Sequence, residues 1–338
     1  MVEVSILIPA YNSATFIGET IKSILNQSFE DYEIIICDDC STDNTGEVIK
    51  RFKDRRIRYY RNKRNLDYPG NLRRCYEKAK GDIIFLMAHD DILLKDALLK
   101  TYNAFQISDE IGVVTRPYYW FWNDVYTPIR AIRPYDSKKD SIVSIFDGKK
   151  SIYKLFESAG QLSGLAFRKE YMDVDFSDDI FTAHIYPFAS ILKRYKAVYL
   201  KDYTVAVRTP TSMSRHRPEI YNPTPTEQWI KMFNTIYYGD KKYEEIRKEC
   251  IKFICKNFAG LIQLKTTANM RILLKDISIL LKYYPLNVFD PKFWFYSLGA
   301  VLTPSRLLRW FVDQYKIKIL SKMLKKDIMG YGKSIWNP

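Results

Sequence analysis

The chain has 338 residues, 47 % of them apolar, enough to bury a sizeable core in one large or two ordinary domains and to exclude a disordered tail. Its 53 Lys and Arg against 39 Asp and Glu give a net charge of +14. That favours an anionic partner without choosing among nucleic acid, a phosphorylated ligand and an anionic membrane. After residue 225, 20 Lys and Arg face 9 Asp and Glu, so +11 of the excess lies in the last third.

Val4 to Ile8 reads as a first strand, and the N-terminus enters it without the basic, apolar and small-residue segments of a signal peptide, so none is expected. Pro9-Ala10-Tyr11-Asn12 is a loop, followed by a helix with Phe16, Ile17, Ile21, Ile24 and Leu25 on one face. Glu33 to Cys37 is a second strand that stops at Asp38-Asp39, and a helix with Val48, Ile49 and Phe52 follows. Ile57 to Tyr60 is a third strand, a polar loop and a helix lead to Lys80, and Ile83 to Leu86 is a fourth strand ending in Met87-Ala88-His89-Asp90-Asp91. A helix over 93–107 and a strand over 112–115 complete a doubly wound α/β unit. Residues 116–150, rich in Tyr, Trp, Pro, Asp and Lys, read as loops and irregular strands. Beyond them the pattern predicts a helix from Ser151, a strand through Leu162-Ser163-Gly164-Leu165-Ala166-Phe167, a helix over 184–193, a strand over 197–200, and helices from Thr226 to the end.

Ligands bind open parallel sheets at the carboxyl ends of the strands, where two acidic pairs fall here. Acidic residues there often cap the next helix, the preferred reading for Asp43 and Asp96. Asp90-Asp91 fits that reading less well, because adjacent carboxylates beside a buried strand repel unless a cation or donor compensates. Mg²⁺ or Mn²⁺ does so with one or two carboxylates and completes its shell with substrate phosphate oxygens. The five cysteines, Cys37, Cys40, Cys75, Cys250 and Cys255, lack paired metal spacing and read as reduced cytosolic thiols.

Three motifs in this order, 4–12, 33–45 and 79–91, resemble the nucleotide-sugar-binding half of family-2 glycosyltransferases of the GT-A fold, a doubly wound, Rossmann-like mixed sheet, here with a helical C-terminal extension. The resemblance is clear over residues 1–115, weaker to about 215 and absent beyond. It implies an inverting glycosyl transfer from a UDP-, GDP-, CDP- or dTDP-sugar to a glycan or lipid-linked glycan. It also implies a domain over 1–225, with a donor half at 1–115 and an acceptor half at 116–225, before a basic helical region over 226–338. Pro9, Ala10, Tyr11 and Asn12 then line the nucleotide pocket, Asp39 reads the base and Asp38 braces the loop. The family's strand-four motif is usually Asp-x-Asp-Asp, so Ala88 replaces its first carboxylate. Asp90 takes the metal position, with Asp91 and His216 as further metal candidates. Ser163 and Gly164 fall beside the acceptor, and Arg208, Arg215 and His216 belong to a segment that closes over the donor. The family's acidic base aligns with Ala183-His184, so His184 is the expected base and Asp179 the alternative.

Ser305 to Lys326 reads as one helix with Leu308, Phe311, Val312, Tyr315, Ile319 and Met323 on one side and a basic remainder. Such a helix either packs on the domain or lies on an anionic membrane surface. The aromatic run 293–296 favours the membrane, and with it a lipid-linked acceptor and a cytoplasmic, peripheral location. The uncharged stretch Phe293 to Ser305 falls short of the ~20 residues of a spanning helix. A sugar nucleotidyltransferase would need a Gly-rich basic loop after strand one, and a dehydrogenase a Gly-x-Gly-x-x-Gly there, but that loop has no Gly, Lys or Arg. A non-catalytic nucleotide-sugar binder stays open through Ala88 and His184. Nucleic acid is not expected, since the basic excess lies outside the βα half and carries no recognised motif.

Overall fold

The computed structural model describes residues 2–209 and 218–329. They divide into a first unit of residues 2–178, 183–209 and the end of the chain from Leu324, and a second of residues 179–182 and 218–323.

The first unit opens with β1 (Val4–Ala10), α1 (Ile17–Leu25), β2 (Tyr32–Asp38), α2 (Thr45–Lys50), β3 (Ile57–Arg61), α3 (Asp67–Lys78) and β4 (Ile83–Leu86). β1, β2 and β4 are buried at every position, which is why they read as continuous apolar runs without alternation. Next come β5 (Ile92–Leu93), α4 (Ala97–Phe105), β6 (Ile111–Thr115), β7 (Tyr118–Phe121), β8 (Pro128–Ile132), β9 (Ser141–Val143), α5 (Lys149–Ala159), β10 (Ala166–Arg168), α6 (Ile185–Ile191), β11 (Lys196–Tyr199) and β12 (Val205–Arg208).

Eight strands form one mixed sheet in the order β3-β2-β1-β4-β10-β6-β11-β9, with β9 and β10 antiparallel to their neighbours. From β1 the chain winds outward through β2 and β3, then returns to place β4 on the other side of β1. The winding therefore reverses between β1 and β4, the point where such sheets open a crevice at their strand ends. A second sheet, β5-β12-β7-β8, carries the strand that ends at Arg208.

Residues 116–150 are loops and short strands, as expected, the strands being β7, β8 and β9. Several boundaries differ from expectation. Ile92-Leu93 pairs with β12 before α4 starts, so the expected 93–107 helix is shorter. Of the expected 162–167 strand only Ala166 and Phe167 are extended, in β10 (Ala166–Arg168), because Gly164 turns the chain with φ of +83°. Asp43 accepts from the Thr45 amide at 3.0 Å, whereas Asp96 makes no cap bond and instead accepts from Ser28 Oγ at 2.7 Å.

The second unit is helical: α7 (Pro225–Tyr237), α8 (Lys241–Cys255), α9 (Ala259–Thr267), α10 (Met270–Tyr283), α11 (Pro291–Leu302) and α12 (Ser305–Tyr315). A capping box of Thr224 and Glu227 starts α7. The expected 305–326 helix runs unbroken over 305–329, as α12, a wide π turn over Lys316–Leu320, and α13 (Ser321–Met329). Among the described residues no helix is long and apolar enough to cross a membrane.

Ile6 of β1 is fully buried in the main core. Ile6→Ala is expected to lower unfolding free energy by about 2–5 kcal/mol, measured by chemical denaturation, with little effect on Ile142→Ala at the exposed sheet edge.

Candidate active site

The carboxyl ends of β1 and β2 are tied together by side chains. Asp39 N donates to Ala10 O at 2.8 Å, and the chain then turns through Cys40 at φ +61°. Asn12 also sits in the left-handed region, at φ +46°, which an Asn tolerates through local hydrogen bonding. Its amide N donates to Ser41 Oγ at 2.9 Å and its Oδ1 accepts from Thr42 N at 2.8 Å, so Asn12 closes the two loops onto each other. Pro9 and Ala10 are buried beneath this junction, while Tyr11 is exposed above it.

The two acidic residues of β2 divide their work. Asp38 is fully buried and accepts from Ser41 N at 2.8 Å, Tyr59 Oη at 2.7 Å and Arg61 at 3.3 Å. Burial and this carboxylate push the Tyr59 phenol up to about 12. Asp39 receives Asn62 Nδ2 at 2.8 Å and Leu66 N at 2.9 Å on Oδ1 alone. Its Oδ2 takes no hydrogen bond among the described residues, and burial raises its pKa above the ordinary carboxylate range.

At the end of β4, Asp91 is buried and saturated: Ser163 Oγ donates at 2.6 Å, Gln161 Nε2 at 3.1 Å and Arg208 N at 2.8 Å. Burial and the neighbouring Asp90 carboxylate push its pKa upward. Asp90 is also largely buried, and its backbone oxygen accepts from Arg208 Nε at 3.0 Å. The Arg208 guanidinium reaches Glu19 at 2.5 Å between the rings of Phe16 and Phe121, 4.6 and 4.7 Å away. Thr20 Oγ1 spans the backbone oxygens of His89 and Asp91, and His89 Nδ1 lies 3.3 Å from Pro9 O, fastening the end of β4 to α1 and β1.

For a divalent cation, the donor set offers Asp90 and little else. No group of three or more His, Cys, Asp or Glu residues suited to a metal is assembled among the described residues. Asp91 spends its oxygens on protein donors and His89 faces a carbonyl. One carboxylate suits a hard ion whose remaining ligands are water and substrate phosphate, so the residues fit a metal carried in with a diphosphate rather than a resident cage. His216 and Arg215 lie outside the described residues.

Ser163 and Gly164 stand between β4 and β12. Ser163 Oγ accepts from Ala88 N at 2.9 Å, and Gly164 N donates to Leu86 O at 2.7 Å. A Cβ at Gly164 would come within 2.7 Å of Val205 and 2.8 Å of Arg116 Nε. Arg116 is fully buried and donates to the carbonyls of Ser158, Gln161 and Ser163, stacked 4.9 Å from the Tyr118 ring. Burial drives it down to about 10.

His184 caps α6 from inside the protein. Its Nε2 lies 3.0 Å from Ala159 O, which can only accept, so Nε2 carries the proton and Nδ1 accepts from Tyr68 Oη at 3.0 Å. Burial lowers its pKa to about 4, reinforced by the Arg116 charge. The imidazole is therefore neutral, with both nitrogens occupied. Asp179, in the second unit, pairs with Lys231 Nζ at 2.9 Å, and Asp178 pairs with Arg73 at 2.5 Å.

Sequence reasoning missed Glu19, Thr20, Gln161 and Arg116. Arg116 left one signal, a cation directly after an apolar strand. The partners of the others are set only by the tertiary fold.

A family model described as glycosyl transferase family 2 matches residues 5–159. The GalNAc(5)-diNAcBac-PP-undecaprenol beta-1,3-glucosyltransferase of Campylobacter jejuni is 37 % identical over 101 residues, 29 % of this chain and 33 % of that one. A crystal structure of Staphylococcus aureus TarS 1–349 with UDP superposes with a TM-score of 0.63 at 17 % identity, covering 93 % of this chain and 91 % of that one. The mannosyltransferase PcManGT of Pyrobaculum calidifontis, in complex with GDP-Man and Mn²⁺, superposes with a TM-score of 0.53 at 15 % identity over 89 % and 86 % of the two chains. The sheet order and the likeness to TarS define a GT-A fold. The matched stretch, residues 5–159, contains all but Val4 of the three motifs that resemble glycosyl transferase family 2. The chain spans a third to just over half of the length of the first curated relatives it matches.

Two outcomes follow from this geometry. Gly164→Ala is expected to cost about 1–3 kcal/mol in denaturant unfolding, from a strained positive φ and close approach to Val205 and Arg116. His184 titrates near 6.5 unfolded and about 4 folded, so the unfolded chain binds the extra proton between those values. Stability is then full above pH ~6.5 and falls by up to roughly 3 kcal/mol as pH drops to about 4. His184→Gln should remove that component, seen as a shallower pH profile of unfolding free energy than wild type.

Proposed function

We propose that this protein transfers a sugar, with inversion, from a nucleoside-diphosphate sugar to a hydroxyl of a lipid-linked or polymeric glycan. The carrying observation is the reversal of winding between β1 and β4, where Asp39 and Asp90 stand at the ends of nearby parallel strands. Asp39 presents Oδ2 to a base donor while Oδ1 is fixed by Asn62 and Leu66. Tyr11 offers an exposed aromatic face, and Pro9, Ala10 and Asn12 shape the floor. Asp38 keeps the loop in place.

Asp90 is the residue that would hold a divalent ion, Mn²⁺ or Mg²⁺, and when bound the ion supplies positive charge to the departing diphosphate. Asp91 serves as the brace behind it. Arg208 directs a guanidinium to the same strand end, suited to a diphosphate oxygen once Glu19 is displaced. Ser163 and Gly164 border the acceptor side.

His184 is the proposed proton acceptor. At about 4 its basicity matches that of a carboxylate without the charge, and Tyr68 occupies the accepting nitrogen. The acceptor proton would pass to the Tyr68 oxygen as the Tyr68 proton moves to Nδ1, leaving the acceptor alkoxide to attack the anomeric carbon. Asp179 is the alternative base. Acting on lipid-linked acceptors sets the enzyme peripherally on the cytoplasmic face of a membrane. The relative that carries an undecaprenol-linked substrate in its name supports that acceptor class.

A thermal-shift panel of UDP-, GDP-, CDP- and dTDP-sugars with Mn²⁺ or Mg²⁺ tests the donor half. One nucleotide should raise the melting temperature in a metal-dependent manner, and Asp90→Ala should remove the rise. No stabilisation by any donor would refute the reading. For the base, His184→Asn and Tyr68→Phe should each lower kcat with donor KM unchanged. Wild-type turnover in His184→Asn would move the role to Asp179. A non-catalytic nucleotide-sugar binder is the second reading, favoured by the engagement of both His184 nitrogens, and it predicts donor binding without product.

A further inference from the structure

The second unit exposes apolar side chains that its own core does not use. On α11, Phe293, Ser297 and Ala300 face inward, with Phe293 edge-on to Phe258 at 5.6 Å. Phe295 and Leu302 on the other side are 75 % and 76 % exposed, joined by Trp294 and Leu298. The turn before this helix adds Phe289, at 81 %, and Leu286.

The segment that follows repeats the pattern. α12 buries no residue fully, and Leu307, Phe311, Tyr315, Ile319 and Met323 are all exposed at four-residue intervals. Four-residue spacing drifts around an ordinary helix of 3.6 residues per turn. The π turn at Lys316–Leu320 is wider and counters the drift, keeping the stripe on one side. Both helices rest on α9, where Lys265 Nζ donates to Val301 O at 3.3 Å and Arg309 to Thr266 O.

Charge identifies what covers this surface. From residue 283 to 323 there are six Lys and Arg and two Asp, and one of those, Asp290, is paired with Lys256 at 2.6 Å. Arg306 and Arg309 line an open cleft of about 390 Å³ with Ser305, Trp310 and Asp313. A second copy of the chain would bring a like-charged rim against this one in a two-fold dimer. An anionic bilayer complements both features, taking the apolar chains below the headgroups and the cations among the phosphates. α11 has 12 residues, and among the described residues no helix is both long and apolar enough to span, so these helices are suited to lying in the interface.

We propose that α11, α12 and the turn before α11 form an interfacial anchor for an anionic lipid bilayer, with Arg306 and Arg309 meeting lipid phosphates beside Trp310. The anchor stands apart from the transfer reading, since it uses none of the strand-end residues.

Flotation of the full chain with vesicles tests this without donor or acceptor, so its outcome is separable from that of the transfer assays. Wild type should float with phosphatidylglycerol/phosphatidylcholine vesicles and roughly tenfold less with phosphatidylcholine alone, the difference shrinking as salt rises. The double variant Leu307→Glu/Phe311→Glu should lose flotation while keeping the wild-type melting temperature, because both side chains are exposed. Ile142→Glu, equally exposed on β9, should float normally. Failure of wild type to float, equal flotation on both vesicle types, or wild-type flotation of the double variant would overturn the proposal. So would a lipid-free dimer in sedimentation that the double variant splits without any change in flotation.

Discussion

The strand-end architecture depends on one buried carboxylate. Asp91 takes a hydroxyl from Ser163, an amide from Gln161 and a backbone N–H from Arg208, so a single side chain ties the end of β4 to the approach to β10 and to β12. The donors come from two distant parts of the chain, and the Ser163 hydroxyl and the Arg208 amide would be buried, unpaired polar groups without it. Asp90 owes its position to this arrangement, because its neighbour is fixed from behind and its own carbonyl is held by Arg208. Of two adjacent carboxylates, Asp91 is thus structural, and Asp90 is the one proposed to meet a ligand.

The same division recurs at β2. Asp38 is consumed by Ser41, Tyr59 and Arg61, and Asp39 keeps one oxygen uncommitted. In both pairs the more deeply placed residue organises the loop that presents the other. A parallel sheet produces this naturally: consecutive residues leaving a strand point to opposite faces, so one enters the packed layer and the other the crevice.

Much of this was legible in the sequence where burial dictates residue type. Ile6, Ile34 to Ile36 and Ile83 to Phe85 lie in strands covered on both faces, and such strands read as near-continuous apolar runs. The strand ends were legible for the same reason, since Asp38 and Asp90 interrupt those runs. Legibility failed where tertiary pairing overrides local pattern. Ile92-Leu93 is a strand only because β12 lies beside it, and Leu162 to Leu165 is apolar yet turned by Gly164. The engagement of His184 was invisible because Tyr68 and Ala159 are 116 and 25 residues away in sequence. The helical stripe of Phe311, Tyr315, Ile319 and Met323 was readable as amphipathic, with Leu308 expected where the structure exposes Leu307, but its exposure required the unit to be folded.

In its proposed role of reading the base, Asp39 has a consequence for nucleotide choice. Its Oδ1 answers two protein donors, so an amide placed there would keep its oxygen toward Asn62 and Leu66 and turn its NH₂ outward. A hydrogen-bond acceptor facing the base would become a donor with the loop undisturbed. Uracil offers a proton at N3 and cytosine a lone pair, so base preference in this framework can change sign through one atom exchanged at one position.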